Sequence, residues 1–509
     1  MGFYLGIDIG TSGTKTLLID EAGQVLAESE ASYPLEQPKP GWTQQDPDDW
    51  WNATVKTVRA VVRKAKVGKA DVKAIGLSGQ MHGSVFLDRK RQVIRPALLW
   101  NDQRTIAQKE TLTELAGGRD ALIRMVANPA STGFQAPKIL WLRDKEKRNF
   151  DRLDKVLLPK DEIRRRMIGE DVTEVSDASG TLLLDVRRRQ WSTELLGKLQ
   201  LDESLLPQIV ESEDVTGTLT AEAAKTLGLT TDCKVVGGAG DCAAGAIGNG
   251  IVKSGLLSTS IGTSGVMFVH SDEPNIDEAG RLHTFCHAVR GKWHMMGVNL
   301  NSGGSLQWWV DQVVRGLTGV ADAKRFEAAT GEATQAPPGS GGLVFLPYLN
   351  GERSPLDDPM ARGAFVGMNL THDRGAMTRA VMEGVTFALR DSLEIIRELD
   401  VPVRQIRASG GGSKNMLWRQ MQADVFGKKV MTLKVEQGPA FGVALLAAVG
   451  DGAYGSIAAA CKATIEVAAE TKPDAKARAT YNHLFPIYRS LYGSLRDSMH
   501  QLAELQSAT

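Results

Sequence analysis

Short apolar runs separated by glycine-rich turns open the chain, and they predict strands rather than helices. Phe3–Ile9 is almost wholly apolar, Thr16–Asp20 repeats the pattern, and Val25–Ser29 gives another run. Together they read as a meander of hairpins, unlike the strand–helix–strand opening of a dinucleotide-binding unit. Asp46 then supplies a cap, Pro47 a first helical position, and Asp48 and Asp49 an acidic first turn, which predicts a helix reaching Lys66. Val72–Ser78 reads as a buried strand ending in the loop Gly79–Gly83. Residues 100–235 mix helical and extended patterns, and periodicity alone does not order them.

A second round begins near Val235. Lys234–Gly240 predicts a strand leading into a turn at Asp241, Ala243–Gly250 a small-residue helix, and Gly255–Gly265 another strand with its turn. Gln405–Ser409 is a late strand running into Gly410–Asn415 and a helix through Phe426. Helical patterns also cover Arg374–Glu398 and the tail from Pro473. The paired rounds of strand and turn predict a duplicated α/β fold, divided into domains over 1–250 and 251–509.

Length agrees with that division, because 509 residues exceed what one hydrophobic core holds. Lys plus Arg (60) balance Asp plus Glu (60), which removes any electrostatic bias toward nucleic acid or anionic lipid. The basic runs Arg164–Arg166 and Arg187–Arg189 are short enough to be solvated faces. Cys233, Cys242, Cys286 and Cys461 show no CxxC spacing and read as reduced thiols. No stretch approaches the ~20 apolar residues of a membrane helix. The first residues enter a strand without a charged leader, so a cytoplasmic location is expected.

The turns carry the chemistry. Asp8-Ile9-Gly10-Thr11-Ser12-Gly13-Thr14-Lys15 sets a carboxylate at a strand end beside glycines, hydroxyls and a lysine. Glycines let backbone N–H groups approach phosphate oxygens, and the carboxylate suits Mg²⁺. It is not a Walker loop, since no GxxxxGK[ST] is present. Alone it would read as an ordinary hairpin, but Ser260-Ile261-Gly262-Thr263-Ser264-Gly265 repeats it. Ser409–Asn415 adds a triple glycine opening a helix, where N–H groups collect. Jointly these loops point to nucleotide binding.

With these loops, Gly133–Trp141 and Leu346–Pro355, the chain from Tyr4 to Gly450 resembles the FGGY family of carbohydrate kinases. The resemblance implies a two-domain actin-like ATPase (ribonuclease H-like) fold with an interdomain cleft, ATP and Mg²⁺ as cofactors, and a small-molecule sugar as acceptor. It is compatible with a homodimer. By residue chemistry, Asp241 in Gly237-Gly238-Ala239-Gly240-Asp241 reads equally as a turn or a cap. The resemblance makes it the catalytic base, with Asp8 beside it organising the metal, so that Asp8 and Asp241 are the metal candidates. Gln80-Met81-His82-Gly83 resembles the sugar loop of members that act on D-xylulose, so Gln80, Met81, His82 and Asp241 become the substrate residues. Leu99–Asp102 and Val156–Asp161 carry the same likeness. Thr11, Ser12, Gly13, Lys15, Gly262 and Thr263 are then expected at the phosphates, Gly303 and Gln307 near the nucleotide, and Gly411 and Asn415 beside the adenosine. Trp308 and Trp309 read as core packing. Cys242 departs from the Asn common after this Asp, and a thiol is a poor partner for a sugar hydroxyl. Another sugar or polyol, or a nucleotide-driven binding module without chemistry, are the competing readings.

Overall fold

The computed structural model describes residues 2–314, 324–435 and 438–508. They form two compact units: 1–253 with 270–294 and 435–466, and 254–269 with 295–434 and 467–509. The chain thus leaves the first unit near Lys253, and two later segments, 270–294 and 435–466, return to it.

The first unit is built on a seven-stranded sheet. Its order is Val215–Thr218, Lys234–Val236, Val72–Gly79, Phe3–Ile9, Gly13–Asp20, Val25–Ser32, with Ala239–Gly240 also paired to Val72–Gly79. The hairpins run antiparallel, whereas Phe3–Ile9 and Val72–Gly79 are parallel. Side chains alternate along Phe3–Ile9, as a period of two requires. Leu5, Ile7 and Ile9 enter a core with Trp50, Val58 and Val61 of the helix Pro47–Ala65. Tyr4 faces the opposite core, with Ala244, Ile247, Ala440, Val443 and Ala444. On that face the helix Gly438–Asp451 lies with its backbone against the sheet. A Cβ on Gly6 would stand 1.8 Å from the Ala440 carbonyl oxygen, and one on Gly76 1.9 Å from that of Val443. Only hydrogen at these positions permits the contact.

The second unit repeats the plan. Gly255–Ile261 is antiparallel to Gly265–Ser271 and parallel to Val403–Gly410, and the sheet continues through Val430–Leu433 to Val467–Thr471. The helix Arg374–Glu398 is capped by Asp373, whose side chain accepts from Ala376 N, and is buried along most of its length. The tail is the helix Ala475–Ala508. Among the described residues, no helix is long and apolar enough to cross a membrane.

Three expectations need correction. Arg164, expected on a solvated face, is fully buried and pairs with Asp161. The turn predicted at Asp241 is the first turn of the helix Asp241–Gly248, because Gly240 takes an extended cap conformation (φ −58°, ψ 148°) and a carboxylate favours the positive end of a helix. The two tryptophans also part company. Trp309 is buried, with Nε1 donating to Thr378 Oγ1 at 2.9 Å. Trp308 instead lines a cavity, since neighbours on a helix point about 100° apart.

Candidate active site

In the first unit, strand register brings the carboxylates together. Asp8 pairs with Ser78, which pairs with Ala239, and one step further Ile9, Gly79 and Gly240 share a row. Asp8 and Asp241 thus emerge at the same end of the two parallel strands that flank Val72–Gly79. Asp8 is half-buried, and its Oδ1 is shut from solvent with no hydrogen-bond partner. Burial first, and then the Asp241 charge, push its carboxyl up to about 7, against the pull of the Ser78 hydroxyl and the Lys15 ammonium. Burial lifts Asp241 to about 6, opposed by Cys242, whose backbone N–H donates to Asp241 Oδ1 at 2.7 Å. Each carboxylate is therefore a stronger base than free aspartate.

The loop after Val72–Gly79 delivers Met81 and His82 to the same place. A Cβ on Gly240 would meet Met81 Cγ at 2.9 Å, and one on Gly180 would meet His82 Nδ1 at 2.7 Å and Met81 Cε at 3.0 Å. Met81 is therefore wedged between the start of the Asp241 helix and Gly180. His82 sits at φ 69°, a strained conformation for a side chain of its size. It is held there from three directions: Nδ1 on Gly180 O at 2.7 Å, its carbonyl taken by Lys138 Nζ at 3.1 Å, and its ring edge-on to Phe134 at 4.8 Å. Lys138 is fully buried and also donates to the Gly133 and Phe134 carbonyls. Burial pushes its ammonium down to about 7.

Gln80 is only 2% exposed, and its amide is committed to protein partners. Oε1 accepts from Thr11 Oγ1 at 3.3 Å, and Nε2 donates to Gln45 Oε1 at 3.0 Å. That suits holding the turn 10–13 rather than meeting a sugar. Thr11 Oγ1 also accepts from the indole of Trp100 at 2.9 Å, an aromatic left 38% exposed. Lys15 points to Glu28 (3.2 Å) and Glu30 (3.8 Å) on the neighbouring strand, and exposed pairs of this kind hold a side chain only weakly.

Behind Asp241 lies a buried ionic cluster. Lys160 Nζ stands 2.7 Å from Asp161, 3.4 Å from Glu174 and 3.4 Å from Asp177, all without solvent exposure. Burial opposes the Lys160 charge, but its three carboxylate neighbours outweigh that and raise its pKa. Arg164 pairs with Asp161 and donates to the Gly237 carbonyl. Burial holds Asp177 well above the usual carboxylate range. The cluster reaches the site through Ser176, whose Oγ donates to Glu174 at 3.0 Å and accepts from Gly240 N at 3.2 Å.

The second unit holds a cavity of about 760 Å³ lined by Gly262, Thr263, Gly303, Gln307, Gly411 and Asn415, every nucleotide candidate expected from that half. Trp308, Phe326 and Leu349 give it apolar walls. Asn415 Oδ1 caps the helix Met416–Phe426 by accepting from Trp418 N at 2.9 Å, and Gln307 donates to Asp311. Buried Glu352 accepts from Leu300 N and Arg353 N, both at 2.8 Å, and ties the 349–353 segment to the cavity wall at Asn301.

Sequence reading gave no role to Gln45, Tyr33, Trp100, Lys138 or the Lys160 cluster. Trp100, Lys138, Lys160 and Asp161 do lie in segments it singled out by resemblance, so a signal was present. Gln45 and Tyr33 carried none.

The N-terminal domain model of the FGGY family of carbohydrate kinases matches residues 3–248, and its C-terminal domain model matches 257–450. A xylulose kinase from Bacillus subtilis (strain 168) is 41% identical over 497 residues, 98% of each chain. Among solved structures, one described as a "xyloylose kinase" from Brucella ovis superposes with a TM-score of 0.90 at 36% identity, covering 97% of this chain and 99% of that one. A gluconate kinase from Lactobacillus acidophilus reaches 0.91 at 29% identity, covering 98% and 99%. Matching domain models along most of its length and a full-length relative at this identity show that the chain belongs to the FGGY family of carbohydrate kinases.

Proposed function

We propose that this kinase transfers the γ-phosphate of ATP to the 5-hydroxyl of D-xylulose in the cytoplasm, giving D-xylulose 5-phosphate. The convergence of Asp241 with Met81 and His82 carries the reading, and the name of the Bacillus subtilis relative supports the choice of sugar. Asp241 takes the proton of the attacking hydroxyl. That oxygen bonds to the γ-phosphorus as the bond to the β–γ bridging oxygen breaks, and ADP leaves. The raised basicity of Asp241 suits it to accept that proton near neutral pH. His82 and Met81 seat the sugar, the turn 10–13 receives phosphate, and the cavity at Gly411 and Asn415 receives the adenosine.

A divalent cation fits the same corner. Mg²⁺ binds through one or two carboxylates, with waters and substrate phosphates completing its shell, and Asp8 offers a partnerless buried oxygen close to Asp241. These two residues would hold it, and when bound it would neutralise phosphate charge. Among the described residues, no group of three or more His, Cys, Asp or Glu is placed to hold a metal.

The test is ADP release with Mg-ATP across D-xylulose, D-ribulose, L-ribulose, L-xylulose, glycerol, D-gluconate and no sugar. A kcat/KM for D-xylulose about tenfold above the others is expected, a margin of roughly 1.4 kcal/mol in the transition state. A different preferred sugar would refute the acceptor, and release indifferent to sugar would refute the kinase reading. The nucleotide side has its own check. A Cβ at Gly303 would stand 2.3 Å from the Gly262 carbonyl oxygen, so Gly303→Ala must push one cavity wall from the other. Its KM for ATP is expected to rise by about tenfold with sugar KM little changed, as initial-rate kinetics would show.

A further inference from the structure

We propose that Gln45 is a positioning residue for phosphoryl transfer, fixing the Thr11–Ser12 peptide so that its N–H faces the phosphates. The proposal rests on the reading that the turn 10–13 receives them. Each carbonyl of that turn has a donor within the protein. Gly10 O accepts from Tyr33 Oη at 2.5 Å, Thr11 O from Gln45 Nε2 at 2.8 Å, Ser12 O from Tyr33 N at 3.4 Å, and Gly13 O from Gly10 N at 3.0 Å. In a planar trans peptide the carbonyl and the following N–H point in opposite directions. Binding the carbonyls inward therefore turns the N–H groups outward, and those of Thr11 and Ser12 donate to nothing among the described residues. Outward N–H groups make an anion cradle, whereas a flipped Thr11–Ser12 peptide would aim a carbonyl at phosphate.

Gln45 is built so that its amide cannot turn. It is 1% exposed, and its Oε1 accepts from Trp50 Nε1 and from Gln80 Nε2, both at 3.0 Å. Its Nε2 donates to Pro34 O at 3.1 Å as well as to Thr11 O. Both ends of the amide are thus assigned by their partners. Gln80 immediately precedes Met81 and His82 and also donates to Gly10 O at 3.4 Å. One amide pair therefore joins the phosphate turn to the sugar loop.

The test uses the full-length protein carrying Gln45→Glu, which sets an acceptor against the Thr11 carbonyl, and Gln45→Met, which keeps the volume without a donor. Should the first not fold, the second carries the test. Both are expected to raise KM for ATP or lower kcat by about tenfold to a hundredfold, with KM for D-xylulose held within about twofold. Trp50→Phe, which removes a donor orienting the amide together with part of a buried ring, should shift the same parameter less. Wild-type values in a folded Gln45→Met would overturn the proposal. So would a loss shared equally between ATP and sugar parameters and accompanied by a fall in thermal midpoint. Wild-type turnover in the same assay reports separately on the kinase reading, so the two failures are distinguishable.

Discussion

Asparagine in place of Asp241 is expected to lower kcat by about 10²- to 10⁴-fold while ATP affinity changes by less than about twofold. The substitution keeps size and an oxygen for the Cys242 N–H, and removes the negative charge with which Asp241 would take the proton and share in holding a divalent cation. The wild-type kcat/KM should rise with pH through about 6, because burial raises the Asp241 pKa of the free enzyme to that value and only the ionised form accepts a proton. A bound divalent cation would move this acid limb to lower pH, and the asparagine variant should lack it. Initial rates across pH and equilibrium nucleotide binding check both statements. Retention of a tenth or more of wild-type kcat would remove Asp241 from the reaction.

Lys160→Met should destabilise the first unit by about 3–5 kcal/mol. Lys160 is fully buried among Asp161, Glu174 and Asp177. Removing it leaves three carboxyl groups with Arg164 as the remaining buried cation within reach of Asp161. The unpaired charge, rather than a lost attraction, sets the size of the effect. Urea denaturation followed by tryptophan fluorescence measures it. Activity should fall too, since Glu174 and Ser176 hold the backbone at Gly240, next to Asp241. An unchanged midpoint would mean that the cluster relaxes by taking up protons.

The sequence was legible where local pattern and chemistry coincide. Phe3–Ile9 is an apolar run and Gln405–Ser409 alternates polar with apolar residues, each is followed by glycine, and both are strands at the expected places. Asp46 and Pro47 begin a helix, with Asp46 accepting from Asp48 N. Asp8 and Asp241 stood out as carboxylates among small residues, but their proximity depends on a register running through Ser78 that no local pattern encodes. Gln45 is silent for the same reason. A glutamine before Asp-Pro looks like loop surface, and its burial follows from Trp50 and Gln80, which come from separate segments. Arg164 read as part of a solvated basic run because period alone does not report that the surrounding elements enclose it. Trp308 fails the other way, an aromatic whose place in a cavity wall resembles core composition.

The helix Gly438–Asp451 belongs to the first unit and rests directly on its central strands. During synthesis, the strands at Gly6 and Gly76 leave the ribosome long before the helix that covers them. At about 5–20 residues per second, the roughly 200 residues between Lys253 and Asp451 keep that sheet face uncovered for some 10–40 s. Ala440, Val443 and Ala444 then join a core whose earlier members, among them Tyr4, Ala244 and Ile247, have been waiting. For the nascent chain, the interval is a window in which a holdase has an apolar surface to shield. A stop codon anywhere in it would release a protein whose first unit cannot close.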